Sequence, residues 1–166
     1  MHYAGINKCD IANGPGVRVS LFVSGCRRGC KGCFNKEAWD FHYGREFTVE
    51  TWYELKKLLD NEHIAGLSIL GGDPFEPENR QTVEKICRTV KKEFPEKDIW
   101  VWTGFDFIED GLIDLPIMHY IDVLVDGRFE EDLKDLRLKW RGSSNQRVID
   151  VERSLAYGCA IRYKDA

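Results

Sequence analysis

The chain lacks the marks of a membrane protein, a repeat protein and a nucleic-acid binder. No apolar run approaches the ~18 residues that a membrane helix needs. The opening residues, Met1-His2-Tyr3-Ala4-Gly5, do not have the charged-then-apolar layout of a secretory signal. There is no internal repeat and no low-complexity stretch, so a solenoid is excluded. Positive charge is not in excess: 24 Lys and Arg stand against 28 Asp and Glu, for a net charge of −4. Non-specific nucleic-acid binding, which needs clustered Lys and Arg, is therefore not expected. These absences point to the cytoplasm, with neither a membrane nor a nucleic acid as partner.

What remains is an ordinary globular balance, 43% hydrophobic and 31% charged over 166 residues. That length predicts one domain, 1–166, with a core over about 7–150 and a tail over 151–166. Strands are expected at 17–24, 64–70, 98–103, 121–126 and 146–151. Each is β-branched or aromatic, and the first four end at or beside glycine. Between them, Val49, Trp52, Leu55, Leu58 and Leu59 recur at helical spacing behind the capping residue Thr48. A second helix over about 77–94 carries Val83, Ile86, Cys87, Val90 and Phe94 on one face, with Pro77 in its first turn. A weaker helical stretch is expected over about 105–114. Strands alternating with helices predict an α/β fold with a mostly parallel sheet. An eight-unit barrel takes ~250 residues, so the expected form is a partial, open βα barrel.

Every unusual segment follows a strand: Gly25–Cys33, Gly71–Pro74, Thr103–Phe105 and Asp126–Arg128. Right-handed crossovers would gather them at one edge of the sheet, where such folds bind ligands.

Of six cysteines, three fall within eight residues: Cys26-Arg27-Arg28-Gly29-Cys30-Lys31-Gly32-Cys33. A disulfide framework is not expected in a cytosolic chain of this size. Thiolates are soft ligands for zinc, copper(I) or iron–sulfur clusters. A structural zinc needs four donors, and no fourth is evident nearby. Three thiolates on a four-iron cluster would leave one iron open to a substrate or cofactor. A zinc site with a distant fourth ligand, and core cysteines by coincidence, are the alternatives. Arg27, Arg28 and Lys31 would offset the charge of a thiolate-ligated cluster. Cys87 reads as core, Cys9 as a packed or exposed thiol, and His42 and His119 as surface residues. Trp100 and Trp102 read as packing residues on one strand face. Gly71-Gly72-Asp73-Pro74 alone is either a strand-to-helix turn or a close approach of backbone to ligand.

On these segments the chain resembles the radical S-adenosylmethionine (SAM) superfamily. More narrowly, it resembles the activating enzymes of anaerobic, class III ribonucleoside-triphosphate reductases. The supporting segments are Asp10–Gly16, Leu21–Cys26, Cys30–Lys36, Gly71–Pro74, Lys97–Phe105, Val123–Gly127 and Trp140-Arg141-Gly142-Ser143-Ser144-Asn145-Gln146. The resemblance implies a partial barrel of the radical SAM type. It implies that Cys26, Cys30 and Cys33 hold a [4Fe-4S] cluster whose open iron chelates SAM. Gly71, Gly72 and Asp73 match the segment that holds the methionine amino group. Gly32 and Phe34 flank the third cysteine, where many members place an adenine contact; Phe34 also reads as core. Asp126 matches an acidic residue that binds a monovalent cation in the related pyruvate formate-lyase activase, while the residues alone read as an Asx turn before Gly127. Residues Arg141–Gln146 would line the site, contact the partner, or form a tight turn.

The implied activity is reductive cleavage of SAM, with the 5′-deoxyadenosyl radical taking a hydrogen from a glycine of the reductase. The implied partners are that reductase and a one-electron donor such as flavodoxin. No protein general base is implied. The rival readings are an activase of another glycyl-radical enzyme, of the formate-lyase type, and a non-enzymatic iron–sulfur or zinc module. A carrier would supply four cysteines per cluster, which counts against that last reading.

Overall fold

The computed structural model describes residues 1–166. Seven strands form one sheet: β1 (His2–Asp10), β2 (Val17–Val23), β3 (Arg45–Glu46), β4 (Ile64–Gly71), β5 (Asp98–Trp102), β6 (Val123–Asp126) and β7 (Arg147–Asp150). Their spatial order is β3-β1-β2-β4-β5-β6-β7. Three α-helices accompany them: α1 (Val49–Leu59), α2 (Pro77–Glu93) and α3 (Val151–Tyr157). Strands β2, β4, β5 and β6 are mutually parallel. β1 pairs antiparallel with both β2 and β3, and β7 antiparallel with β6. The sheet is thus parallel only at its centre and mixed overall, and it does not close: β3 and β7 are its two outermost strands. No helix is long and apolar enough to cross a membrane.

Local chemistry explains the elements that the sequence announces. The Thr48 hydroxyl accepts from the Thr51 amide and caps α1. Pro77 opens α2, where a missing N–H is harmless. Val83, Ile86, Cys87 and Val90 bury one face of α2 completely or nearly so. They meet Val19, Leu21, Leu67, Ile69, Ile99, Val101 and Leu124 from alternate positions of the parallel strands, together with Leu55 and Leu59 of α1. Burying residues of this size stabilises the fold by roughly 1.5–3 kcal/mol apiece.

The opposite face is partly polar. Ser20 pairs in register with Ser68, Ser68 with Trp100, and Trp100 with Val123. Arg18 is buried on this side, with its guanidinium 2.7 Å from Asp98 and 5.6 Å from the Trp100 ring centre. Trp100, as expected, is a packing residue, with Trp140 and Tyr163 edge-on to it.

The structure departs from the expected helix and adds detail at two other places. The helix over 105–114 does not form; the segment is turns leading to a 3-10 helix, Leu112–Asp114. Asp106 accepts the amides of Ile108 and Glu109 at 2.8 and 2.9 Å, which diverts the chain from a helical ladder. The parallel centre acquires antiparallel margins, β1 and β3 on one side and β7 on the other. β1 is bulged at Tyr3/Gly5 and between Asn7 and Asp10, so its side chains do not alternate cleanly. The tail over 151–166, which the sequence leaves unassigned, is built of α3 and a return segment. Asp150 caps α3 through the Arg153 amide, and left-handed Gly158 (φ 68°) ends it. The chain then returns along β7, the Tyr163 amide donating to the Val148 carbonyl at 2.9 Å.

Candidate cofactor site

The C-terminal ends of β2, β4, β5 and β6 share one edge. There the sequence places Gly25–Cys33, Gly72–Pro74, Thr103–Phe105 and Gly127–Arg128. The loop after β2 carries Cys26, Cys30 and Cys33, all free thiols. Cys30 is buried and the other two are half-buried.

This loop is fastened to the turn after β4 by backbone. The Gly72 amide donates to the Val23 carbonyl at 2.7 Å, and the Asp73 amide to the Gly25 carbonyl at 2.8 Å. The approach is too close for side chains. A Cβ on Gly72 would lie 2.6 Å from the Gly25 carbonyl oxygen and 2.8 Å from that of Ala38. A Cβ on Gly71, whose φ is +113°, would lie 2.5 Å from the Val23 oxygen. Both glycines are therefore required by the fold itself, before any ligand is considered.

Asp73 is 1% exposed. Its Oδ1 accepts the Phe75 amide (3.0 Å) and the Thr103 hydroxyl (2.8 Å); its Oδ2 accepts the Gly104 amide (2.9 Å). The carboxylate knits the ends of β4 and β5 together. Burial nevertheless pushes its pKa up to about 6 against those hydrogen bonds.

The three cations of the cysteine loop are each paired with carboxylates. Arg27 bonds Glu76 and Glu78 at the start of α2. Arg28 stacks 3.6 Å from the Phe105 ring centre and lies 3.7 Å from Asp110. Lys31 lies 3.2 Å from Glu131. Each thus ties the loop to a different neighbour. Gly32 (φ +73°) sits directly against Glu131, whose Oε1 would be 2.6 Å from an added Cβ. Phe34 is 95% exposed, so its reading as core is wrong.

Asp126 corrects a second expectation. No Asx turn forms before Gly127. Its fully buried carboxylate accepts the Phe107 amide at 2.8 Å and Arg147 Nε at 2.9 Å, and Arg147 also reaches its second oxygen. Arg147 was missed because it follows directly on the Arg-Gly-Ser-Ser-Asn-Gln segment, at the start of a strand. Arg141–Gln146 does make a tight turn: the Gln146 side chain accepts the amides of Gly142 and Ser143 at 2.9 and 3.1 Å. Asn145 and Arg147 also line a polar cavity of about 280 Å³ with Gly104, Asp106, Asp126 and Arg128.

The donor chemistry fits a thiolate-bound cluster. Three free, soft ligands share one short loop, and the Ser24 hydroxyl beside it is buried without a partner. No three His, Cys, Asp or Glu side chains, the three loop cysteines included, are gathered closely enough to hold a metal ion as they stand. Burial raises the Cys26 thiol to about 11, with the Asp73 and Glu76 charges adding to it. A bound metal would deprotonate the thiol outright.

Cys9 and Cys159 are exposed and Cys87 is buried in the core. His42 and His119 are exposed.

Residues 12–149 match the family model described as a 4Fe-4S single cluster domain. The chain is 45% identical over 148 residues to the anaerobic ribonucleoside-triphosphate reductase-activating protein of Enterobacteria phage T4, covering 89% of this chain and 93% of that one. It is 44% identical over 150 residues to the Escherichia coli K12 protein of the same name, covering 89% and 97%. The Vibrio cholerae protein is 43% identical over 148 residues, covering 88% and 96%. With a cysteine loop locked to a Gly-Gly-Asp turn at the sheet edge, and with this similarity over nearly its whole length, the chain belongs to the anaerobic ribonucleoside-triphosphate reductase-activating protein family.

Proposed function

We propose that this protein is a radical SAM activase that installs a glycyl radical on anaerobic ribonucleoside-triphosphate reductase. The observation that carries the reading is the fastening of Val23 and Gly25, which lead into the Cys26–Cys33 loop, to the Gly72 and Asp73 amides by two backbone hydrogen bonds. It sets a three-thiol loop beside a glycine turn at the C-terminal ends of parallel strands, where α/β folds bind ligands.

Cys26, Cys30 and Cys33 would hold the [4Fe-4S] cluster. When bound, the cluster and SAM supply a one-electron reductive cleavage that gives methionine and a 5′-deoxyadenosyl radical, which takes a hydrogen from a reductase glycine. The protein binds, orients and excludes side reactions. Gly71 and Gly72 offer backbone to the methionine amino group. Asp73 acts through that backbone, since both its carboxylate oxygens are already engaged. Gly32 and exposed Phe34 would meet the adenine. Arg147 already neutralises Asp126, so the reading needs no monovalent cation there. The open sheet leaves room for a reductase segment to enter. The electron comes from an external donor such as flavodoxin, and the setting is the cytoplasm.

The test is anaerobic reconstitution, then reduction with dithionite in the presence of SAM. Near four irons per chain, with 5′-deoxyadenosine lost in Cys30→Ala, is the expected result. Adding the reductase should then give an organic-radical resonance on that protein. Zinc in place of iron, or a cluster that never cleaves SAM, would overturn the reading.

A further inference from the structure

Glu76 is 3% exposed and stands at the N-cap position of α2, yet its carboxylate makes no capping bond to the helix. A side-chain oxygen there ordinarily accepts an amide from the first turn. In this protein the carboxylate turns outward to the cysteine loop. Its Oε1 accepts the backbone N–H of Arg27 at 2.7 Å, and its Oε2 accepts Arg27 Nη1 at 2.7 Å. Hydrogen bonds to a charged acceptor are about twice as strong as neutral ones.

Arg27 directly follows Cys26, so this bond acts next to a cluster ligand. On the other side of Cys26, the Gly25 carbonyl accepts the Asp73 amide at 2.8 Å. The Cys26 amide itself donates to the Trp39 carbonyl at 3.2 Å. Cys26 is thus bracketed by main-chain bonds before, at and after its own position. Cys30 and Cys33 share one turn bond, from the Cys33 amide to the Cys30 carbonyl at 3.2 Å, and neither has a comparable anchor to another element. The Arg27 guanidinium lies 4.3 Å from the Phe41 ring centre, and that ring packs where a Gly25 side chain would be.

We propose that Glu76 is a positioning residue for the cofactor site. It fixes Cys26 relative to Gly71-Gly72-Asp73 before any cluster is present, while Cys30 and Cys33 adjust to the cluster as it assembles. The main-chain bond to Arg27 carries this role, and the exposed guanidinium pairing is secondary. This proposal rests on the reading of the cysteine loop as a cluster site.

The test uses the full-length chain in three variants. Glu76→Ala removes the acceptor. Glu76→Gln keeps an oxygen acceptor for the Arg27 amide without the charge. Arg27→Ala keeps the main-chain donor and removes the guanidinium. Amide hydrogen exchange is measured first on the cluster-free chain. Losing one buried hydrogen bond should lower protection of the Arg27 amide roughly tenfold in Glu76→Ala. Glu76→Gln should recover most of it, and Arg27→Ala should match the wild type. Protection across α2 should hold in all three, since Glu76 does not cap the helix. Iron and sulfide per chain, and the resonance of the reduced cluster with and without SAM, are then recorded. Glu76→Ala should assemble less cluster and alter the SAM-induced change in its spectrum, with recovery in Glu76→Gln. Unchanged protection at Arg27 in Glu76→Ala would overturn the proposal, as would equal loss in Arg27→Ala. Failure of the wild type to assemble a cluster would instead overturn the functional reading, and the exchange result would still stand as measured.

Discussion

Arg147 grips the fully buried carboxylate of Asp126 with two nitrogens, Nε at 2.9 Å from Oδ1 and a terminal nitrogen on Oδ2, and the same terminal nitrogen reaches Asp106 at 2.8 Å. One guanidinium therefore ties the start of β7 to the end of β6 and to the loop after β5. The Asp126 carboxylate raises the Arg147 pKa, first through hydrogen bonding. Removing the partner would strand a buried charge. Arg147→Ala should destabilise the chain by about 2–4 kcal/mol, reduced from the fully buried case because a third of Arg147 stays in water. Arg147→Lys should recover only part of this, since an ammonium cannot make the two-nitrogen contact. Urea unfolding of both variants checks the order.

The six cysteines should divide cleanly. Alanine at Cys26, Cys30 or Cys33 is expected to abolish stoichiometric iron binding. Serine at exposed Cys9 or Cys159 should leave iron and stability unchanged. Cys87→Ser should leave iron unchanged but cost about 1–3 kcal/mol, because it buries an unpaired hydroxyl in the core. Iron per chain and denaturation midpoints, measured together, separate the three classes.

Two glycines separate steric from conformational demand. Gly72→Ala places its Cβ 2.6 Å from one carbonyl oxygen and 2.8 Å from another, both backbone. It should destabilise by at least 1–3 kcal/mol, a typical overpacking penalty of roughly that size. Gly29 meets nothing within 4 Å but has φ +58°. Gly29→Ala should cost only about 1–2 kcal/mol, the strain of a left-handed residue. A larger effect at Gly29 than at Gly72 would contradict the close approach of the two turns.

Asp73 predicts a pH dependence. Burial raises its folded pKa from 3.8 to about 6. Between those values the folded chain binds more protons than the unfolded one, so stability falls as pH rises through this window and is level above it. The loss is about 2–3 kcal/mol, from two pKa units at 1.36 kcal/mol each. Asp10 and Asp106, with lowered pKa values, act oppositely and lose stability as pH falls. The contribution of Asp73 is therefore read as a difference. Wild type minus Asp73→Asn should slope downward from pH 4 to pH 6 and flatten beyond. A flat difference throughout would remove the buried, ionising Asp73.

Phe34 offers a test that stability should ignore. At 95% exposure, Phe34→Ala should shift unfolding by no more than about 0.5 kcal/mol. If it meets the adenine, SAM affinity of the reconstituted protein should fall while iron content holds.

The sequence alone determined the elements with strong local signals. Helical spacing behind Thr48 and Pro77 placed α1 and α2, and β-branched runs ended by glycine placed the parallel strands, because such signals depend on neighbours within a turn or two. The soft-ligand triplet and the Gly-Gly-Asp-Pro turn were legible for the same reason. Tertiary structure alone decided the rest. β1 is recognised by its partners β2 and β3, not by its own irregular pattern. The expected helix after β5 yields to Asp106 and to the Arg147 network, which no local window contains. Gly72 is required by the Gly25 and Ala38 carbonyls, Asp126 is satisfied by a residue 21 positions away, and Glu76 turns from its own helix to the Arg27 amide 49 positions away. Each depends on which strands lie side by side, and sequence spacing carries no record of that adjacency.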